Sequence, residues 1–452
     1  MARPTFDSHQ ESVASLNMPR STPEQRGWYL YDWANSAFAT TVVTLFLGPY
    51  LTSLAKAAAG TDGLVHPLGI PVDPRSFWSY AIGISVGAQI LSLPVIGALA
   101  DFGRHKKRIL GMTAYLGAGV TAALFFIAGR NYLAGGVLFI VANVSFGASE
   151  AIYNSFLPEI APPQQRDAVS SKGWAIGYLG GGLLLALNVL LYMRAESLGI
   201  SEAMAVRISL SSAGLWWAVF TIPTLLALRD RGPARVLPPG RSAMGASVRQ
   251  LKHTLRDVRR YPQAMTFLIA FLLYNDAIQT VLAVAAQFAN DELKIPVSQL
   301  TLAILMAQFL GFFGALGFQR IAAAINAKRA VVASLVVWAA ALVYIYLAVY
   351  NTVQFFAVTA VVALVMGGSQ ALSRSLFAQL TPKGREAEYF SIYEISDKGT
   401  SWLCPILFGV ALQFTGSYRA AILSLIVFLA AGLMVLLKVD MIRGQREAQT
   451  PA

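Results

Sequence analysis

The chain has 452 residues, of which 56% are hydrophobic and 13% charged, whereas soluble domains carry roughly 25% charged residues. Its net charge of +12 comes from short basic clusters between apolar runs, which excludes a single basic face for nucleic acid. One cysteine excludes both a disulfide framework and a cysteine metal site.

Such a composition predicts that lipid, not water, surrounds most of the surface. Twelve apolar windows are long enough to cross a bilayer, which takes about 20 residues per helix. The first 25 residues hold no apolar core of a cleaved signal peptide, so we expect the first span to insert uncleaved. The predicted fold class is an all-α membrane protein with twelve transmembrane helices. In chain order the spans are 27–51, 77–100, 109–128, 132–156, 172–193, 208–228, 263–288, 299–318, 329–349, 353–379, 389–413 and 418–437.

Basic residues lie in alternate connections, and because lysine and arginine resist translocation these connections are predicted to be cytoplasmic. The largest clusters are residues 104–108, after the second span, and residues 229–261, after the sixth. We therefore expect an inner-membrane protein with both termini in the cytoplasm. The predicted segments are a tail at 1–26, a six-helix bundle at 27–228, a basic linker at 229–261, a second bundle at 262–438 and a tail at 439–452.

Within the linker, apolar residues recur at helical spacing on a basic background. This pattern indicates a helix lying on the anionic cytoplasmic leaflet, and a solvated basic loop explains it equally well. The apolar residues are Val248, Leu251, Leu255 and Val258.

An internal repeat supports the division into two halves. Gly147-Ala-Ser-Glu-Ala in the fourth span matches Gly367-Gly-Ser-Gln-Ala in the tenth at an offset of 220. Ser155 and Ser375 share the same offset. Repeated halves of this kind build a binding site at their interface in many transporters.

The seventh span carries the deepest acidic residue, Asp276. It lies about fourteen residues beyond Pro262, roughly 20 Å along a helix and near the middle of a core about 30 Å thick. Ionisable groups at that depth are costly and mark functional sites. The polar face predicts either a water-filled cavity, in which Asp276 exchanges a proton during transport, or a neutral acid bonded to a neighbouring helix. The same face carries Gln279, Thr280, Ala283 and Gln287.

Other spans also carry polar residues at helical spacing. Those in the first and fourth spans are candidate substrate or ion contacts, with a gating role equally open for Asp32 and Glu150 near the cytoplasmic surface. Opposite charges in the tenth and eleventh spans predict either an ion-pair network that closes the cavity or a structural pair. The candidate binding residues are Asp276, Gln279, Asp32, Asn35, Glu150, Asn154 and Gln370, and the gating candidates are Arg374, Glu394, Asp397 and Lys398.

The connection after the second span reads Gly97-Ala-Leu-Ala-Asp101-Phe-Gly103-Arg104-His-Lys-Lys-Arg. It resembles the signature loop of the major facilitator superfamily, although positive-inside bias alone also places basic residues after an aspartate. The resemblance implies two pseudo-symmetric six-helix halves. It implies gating roles as well, because the first glycine permits close helix packing and the aspartate meets a helix end of the other half. Gly103 and Arg104 complete the motif.

The fifth predicted span contains the stretch Gly173-Trp-Ala-Ile-Gly177-Tyr178-Leu-Gly180-Gly-Gly. Small residues at this density let a neighbouring backbone approach closely. The segment is similar to a glycine-rich motif of antiporters in the same superfamily, with Tyr178 where proline is usual. A hinge between moving helices and a static packing surface are both consistent with it.

Three further stretches narrow the resemblance: Trp28-Tyr-Leu-Tyr-Asp-Trp-Ala-Asn-Ser, Phe156-Leu-Pro-Glu and Tyr274-Asn-Asp. They resemble the major facilitator subgroup of autophagy-linked vacuolar amino-acid effluxers and their bacterial relatives, over essentially the whole chain. The resemblance implies a transporter with amino acids or peptide-like solutes as cargo. It also implies that the first, fourth, seventh and tenth spans line a central cavity.

These features predict a secondary active transporter that moves a small polar solute by alternating access, with protons or another ion as candidate coupling partner. We expect a monomer in the lipid bilayer, with no nucleic-acid partner, no metal and no cofactor. No phosphate loop or HExxH motif occurs, and an enzyme is not expected. Two alternatives remain: a polytopic enzyme acting on lipid-linked substrates, and a transporter-like sensor without flux.

Overall fold

The computed structural model describes residues 21–101, 105–231, 260–398 and 403–449, nearly all of them in helices. Polar side chains satisfy the backbone amides where several helices begin. Thr22 and Gln25 form a reciprocal capping box at the start of the first helix, and Asn351 accepts a hydrogen bond from the Gln354 amide at the start of the tenth. The helices are α1 Pro23–Ala58, α2 Phe77–Asp101, α3 Lys106–Phe126, α4 Tyr132–Ile160, α5 Pro163–Met193, α6 Glu202–Ala227, α7 Pro262–Asn290, α8 Ser298–Ile325, α9 Ala327–Ala348, α10 Thr352–Leu380, α11 Glu386–Lys398, α12 Leu403–Thr415, α13 Tyr418–Lys438 and α14 Met441–Gln449.

Within the described ranges eleven helices, α1 to α10 and α13, are long and apolar enough to cross a membrane. The eleventh predicted span, 389–413, corresponds to α11 and α12, on either side of residues 399–402, which lie outside those ranges. A total of twelve spans therefore stays a prediction. Also outside the described residues are Gly103, Arg104, the side chain of Lys398 and the linker residues Val248, Leu251, Leu255 and Val258.

Large apolar side chains face outward along the bundle. Leu91, Leu226 and Phe414 are 78%, 79% and 84% exposed. Soluble monomers rarely expose contiguous apolar patches larger than a few hundred Å². Hydrocarbon solvates such side chains, and helices satisfy their own backbone groups there. The surface is therefore that of a multi-pass membrane protein.

The first helix changes its winding in the middle. Phe38–Phe46 form a π-helix between two α-helical stretches, and the Thr44 hydroxyl donates to the Ala39 carbonyl at 2.8 Å. Segments of π-helix are rare and occur mostly at functional sites. This one directly follows the turn of α1 that carries Asn35.

The helices pack in two groups with the same internal arrangement. α4 packs against α2 and α3, and α1 against α5 and α6; correspondingly, α10 packs against α8 and α9, and α7 against α11 and α13. The sequence repeat falls on equivalent contacts. A Cβ at Gly147 would lie 2.3 Å from Gln89 Oε1 on α2, and one at Gly367 would lie 2.3 Å from the Gly311 carbonyl oxygen on α8. We call α1–α6 the N-terminal group and α7–α13 the C-terminal group.

The two groups meet where α2, α4 and α5 contact α8, α10 and α11. Tyr178 of α5 lies in this interface, because a Cβ at Gly311 of α8 would come within 2.9 Å of its ring. One end of the bundle carries the α2–α3, α4–α5 and α10–α11 connections together with α14. We call it the Asp101 end, after the last residue of α2.

Candidate functional site

Arg374 on α10 is the centre of a buried polar cluster that joins the two groups; only 2% of the residue is exposed. Its guanidinium pairs with Asp32 of α1 through two bonds, Nη1 to Oδ1 at 3.3 Å and Nη2 to Oδ2 at 3.1 Å. Nη1 also donates to Asn154 Oδ1 of α4 at 3.1 Å. Nε and Nη2 donate to the hydroxyl and carbonyl oxygens of Ser170 on α5, each at 2.9 Å. The guanidinium of the C-terminal group is thus held by three helices of the N-terminal group.

Aromatic rings enclose the same guanidinium. Its carbon lies 4.6 Å from the ring centroid of Trp28, 5.4 Å from that of Trp174 and 5.8 Å from that of Tyr153. Trp28 and Tyr153 also stack on each other, with centroids 4.5 Å apart. Rings that exclude water strengthen the ion pair and add cation–π attraction. Separating the two groups at this point requires the Arg374 guanidinium to leave all three rings together.

Gly173 on α5 leaves the space that the ion pair occupies. A Cβ at this position would lie 2.5 Å from Asp32 Oδ2, 2.7 Å from the Trp28 ring and 3.0 Å from Arg374 Nη2. A Cβ at Gly180 would likewise lie 2.7 Å from the Trp33 carbonyl oxygen of α1. The glycine-rich face is therefore the surface on which α1 packs.

Gly173→Ala is expected to displace Asp32 from Arg374 and to lower the melting temperature of the purified protein, because overpacking a tight site costs about 1–3 kcal/mol. Gly119→Ala on α3 is the matched control, since nothing lies within 4 Å of a Cβ there and alanine is the better helix former by roughly 0.5–1 kcal/mol. Thermal unfolding of both variants checks the prediction. Identical melting temperatures would show that the cluster accommodates the added methyl group.

Further hydrogen bonds extend the polar contacts to α7 and α11. Asn154 Nδ2 donates to Glu394 Oε1 at 2.9 Å, so this amide contacts both α10 and α11. On α7, Asn275 donates to Asp397 Oδ1 at 2.7 Å and accepts from Gln370 Nε2 at 2.7 Å. Candidate residues on the fourth, tenth and eleventh predicted spans thus lie in adjoining sets of contacts.

One candidate pair lies within the N-terminal group. Asn35 of α1 donates to Glu150 Oε1 of α4. Asn35 is buried, with 3% exposed, and Glu150 is half-buried. Because Asn35 is about one helical turn beyond Asp32, the pair adjoins the Arg374 cluster on the side away from the Asp101 end.

Asp276 is not part of the Arg374 cluster. It is 2% exposed, and its Oδ2 accepts a hydrogen bond from the Cys404 amide at the start of α12, at 3.1 Å. Among the described residues its Oδ1 has no hydrogen-bond partner. Gln279 on the same face is half-buried, and Gln287 further along is exposed. The structure therefore places Asp276 against a neighbouring helix end, and the polar face of α7 becomes accessible only beyond it.

At the Asp101 end, α2 meets the start of α11. Asp101 Oδ1 accepts from the Ala387 amide at 3.0 Å, and Oδ2 accepts from the Glu388 amide at 2.8 Å. A Cβ at Gly97 would lie 2.1 Å from Ser391 Oγ, so a glycine is needed for this approach. The aspartate thus caps a helix of the other group, at the end where the helix dipole favours an anion.

Sequence reasoning missed several residues of the Arg374 cluster and of the contacts that adjoin it. Ser170 stands in the polar stretch before the predicted fifth span at 172, and its polarity assigned it to a loop. Asn275 lies next to Asp276 but on another helix face, so the polar stripe did not include it. Trp28 was noted only as part of a family motif, and Tyr153 only as a residue of an apolar helix. No sequence pattern indicates that either ring contacts a cation.

Comparisons with known proteins agree with this architecture. A family model described as vacuole effluxer Atg22 like matches residues 20–449. The chain is 29% identical to the MFS-type transporter YxiO of Bacillus subtilis (strain 168), over 93% of this chain and 95% of that protein. It is 26% identical to Autophagy-related protein 22-1 of Penicillium rubens, over 98% of this chain and 95% of the relative.

Solved structures share the fold at low sequence identity. The proton:xylose symporter XylE of the major facilitator superfamily superposes with a TM-score of 0.66 at 10% identity, over 92% of this chain and 94% of the symporter. An outward-facing bacterial homologue of the iron transporter ferroportin gives 0.64 at 15% identity, over 95% and 100%. The predicted all-α membrane fold and the family resemblance are confirmed, and the count of twelve spans stays a prediction. The chain belongs to the Atg22-like vacuole effluxer family, a family of membrane transporters with the major facilitator fold.

Proposed function

We propose that this protein is a secondary active transporter that moves a small polar solute across the inner membrane by alternating access. The observation that supports it most directly is the Arg374 cluster, in which one buried ion pair bonds helices of both groups near the Asp101 end. A cluster of this kind can be intact or broken. When it is intact, the solute path is closed at the Asp101 end, and when it is broken, the path is open at that end.

The moving units in this proposal are the bundles 27–228 and 262–438, joined by the basic linker 229–261. Positive-inside bias supports a cytoplasmic location for the Asp101 end. With the Arg374 pair and the Asp101 cap intact, the path is closed toward the cytoplasm and solute enters from the other side. Rocking of the bundles breaks both contacts, so that the path closes on the first side and opens to the cytoplasm. The two forms are two populations of the same protein, and transport shifts the balance between them.

The chemistry of the cluster favours an amino acid or a short peptide as cargo. When the Asp101 end opens, the Arg374 guanidinium and the Asp32 carboxylate separate. Each is then a buried unpaired charge, which is energetically costly. A zwitterion offers a carboxylate to the first and an ammonium group to the second, so it offsets that cost. Asn35, Glu150 and Asn154 are proposed as further contacts, as are Gln370, Asp276 and Gln279, with Asp276 the proposed site of proton coupling.

A ligand screen followed by a flux assay tests the proposal. Purified protein is heated with single amino acids, dipeptides, sugars and nucleosides, because a ligand of the folded form raises the melting temperature. Hits are then assayed for counterflow in proteoliposomes. We expect an amino acid or dipeptide both to stabilise the protein and to exchange across the membrane. A ligand that binds without flux would support the sensor alternative.

The proposed orientation predicts which loops are accessible from each side. The single natural cysteine, Cys404, is buried, so exposed positions accept unique cysteines. Lys383→Cys in the α10–α11 connection should react with a membrane-impermeant maleimide only after the cells are opened. Asp62→Cys in the α1–α2 connection should react in intact cells. The reverse pattern would invert the topology and remove the assigned cytoplasmic gate.

A further inference from the structure

Hydrogen bonds join the beginning of α5 to the last turns of α10 across the interface, on the side of the Arg374 cluster nearer the Asp101 end. Arg166 Nη1 donates to the Ala378 carbonyl oxygen at 2.8 Å. Asp167 Oδ1 accepts from the Ser375 hydroxyl and from Gln379 Nε2, the latter at 3.2 Å. These contacts join the N-terminal and C-terminal groups independently of Asp101.

Gln379 is bonded on both sides of its amide. While Nε2 donates to Asp167 of the N-terminal group, Oε1 accepts from Gln445 Nε2 on α14 at 2.7 Å. Because an ionised carboxylate only accepts, Asp167 requires the Nε2 end of the Gln379 amide to face it, which leaves Oε1 as the acceptor for Gln445. The bond to Gln445 therefore holds the Gln379 amide at the position from which Nε2 reaches Asp167.

The helix that carries Gln445 is docked under the C-terminal group. A Cβ at Gly444 would lie 2.3 Å from Leu380 Cδ2, and the Asp440 amide donates to Gln263 Oε1 of α7 at 2.7 Å. The Lys383 amide donates weakly to the Ala448 carbonyl at 3.4 Å. α14 is thus held by short-range contacts to α7, α10 and the connection that follows α10.

The docked helix also lines the space through which a solute would leave. A cavity of about 620 Å³ lies at the Asp101 end, and both groups contribute to its walls. Asp101 and Arg166 come from the N-terminal group, Gln379 from the C-terminal group, and Gln445 and Ala448 from α14. α14 is therefore positioned to sense whether the two groups are together at this end.

We propose that α14 is a latch that stabilises the form with the Asp101 end closed, and that Gln379 is the residue through which it acts. Docked α14 holds the Gln379 side chain in place against Asp167, and undocking α14 weakens the Gln379–Asp167 bond and favours opening. This inference rests on the proposed transport cycle, because it assigns α14 an effect on one of the two forms. A helix that merely braced the C-terminal group would stabilise both forms equally.

Distance measurements on the full-length protein in nanodiscs test the latch. Spin labels at Arg108→Cys and Arg329→Cys, both exposed at the starts of α3 and α9, report the separation of the two groups at this end by double electron–electron resonance. We expect Gln445→Ala to raise the ratio of long to short distances by about two-fold to tenfold, the range that one neutral hydrogen bond supports. Gln164→Ala, an exposed glutamine at the same end, should leave the ratio unchanged.

A double-variant comparison distinguishes the latch from a brace. With Asp167→Ala already present, Gln379 has lost its partner on the N-terminal group, so Gln445→Ala should add no further shift. An unchanged ratio in Gln445→Ala, or an equal added shift on the Asp167→Ala background, would overturn the proposal. Asp101→Ala is included to separate the two ideas. If Asp101→Ala lengthens the distance and Gln445→Ala does not, the latch proposal is refuted and the proposed gate stands. If neither variant lengthens the distance, both proposals are refuted.

Discussion

Arg374→Ala is expected to destabilise the protein by about 3–5 kcal/mol, the usual effect of removing one member of a buried ion pair. Asp32, only 7% exposed, would be left with its charge beside Trp28 and Tyr153. The cation–π contacts of the guanidinium would be lost at the same time. Chemical unfolding in mixed micelles, followed by tryptophan fluorescence, measures the change. Flux of any cargo found by the ligand screen should fall to background.

Two controls make this result specific. Arg75→Ala removes an exposed ion pair with Asp73, whose side chains are 76% and 37% exposed, and should change stability by less than about 1 kcal/mol. The double variant Asp32→Asn/Arg374→Met removes both charges and should recover much of the lost stability, because neutral replacements of buried pairs are often tolerated. Its flux should stay low. Equal losses for Arg374→Ala and Arg75→Ala would refute the importance of the cluster.

Asp101→Ala is expected to shift the protein toward the form with the Asp101 end open by about tenfold or more. The substitution removes two hydrogen bonds from a charged acceptor to backbone amides of α11, and bonds to charged groups contribute about 1.5–3 kcal/mol each. It also removes the anion that the helix dipole favours at the start of α11. The spin-label pair at Arg108→Cys and Arg329→Cys measures the shift.

The matched control is another aspartate that accepts a backbone hydrogen bond at this end. Asp230 Oδ1 accepts from the Lys107 amide at 2.8 Å, but both residues belong to the N-terminal part of the chain. Asp230→Ala should therefore leave the distance distribution unchanged, even if it lowers the melting temperature. A shift of similar size in both variants would show that Asp101 acts through general stability. Asp101→Asn, which keeps an acceptor but loses the charge, should give an intermediate shift.

The two predictions concern different steps of the same closure. The Arg374 cluster supplies a desolvated ion pair, whose strength depends on the exclusion of water by Trp28 and Tyr153. The Asp101 cap determines how the two groups fit together at this end, because it positions the first turn of α11 against α2. Loss of the first should reduce stability as well as flux, whereas loss of the second should mainly redistribute the two forms.

The membrane-helical fold followed directly from the sequence, because a bilayer imposes a length of apolar residues that composition reveals without tertiary information. The loop motif also identified Asp101 and Gly97, since a helix cap and a close helix contact require particular residue types at fixed positions. The glycine-rich stretch indicated close packing for the same reason.

Only the tertiary structure decided which polar residues are partners. Ser170 and Asn275 contact Arg374 and Gln370 from helices distant along the chain, and helical periodicity reports a face but not the helix that covers it. Asp276 was singled out by depth, yet its described hydrogen bond is to the start of α12. Polar segments at helix ends, such as residues 163–171 and α14, read as loops because hydropathy measures affinity for hydrocarbon. Their helical form is supported by contacts across the bundle, which no local pattern contains.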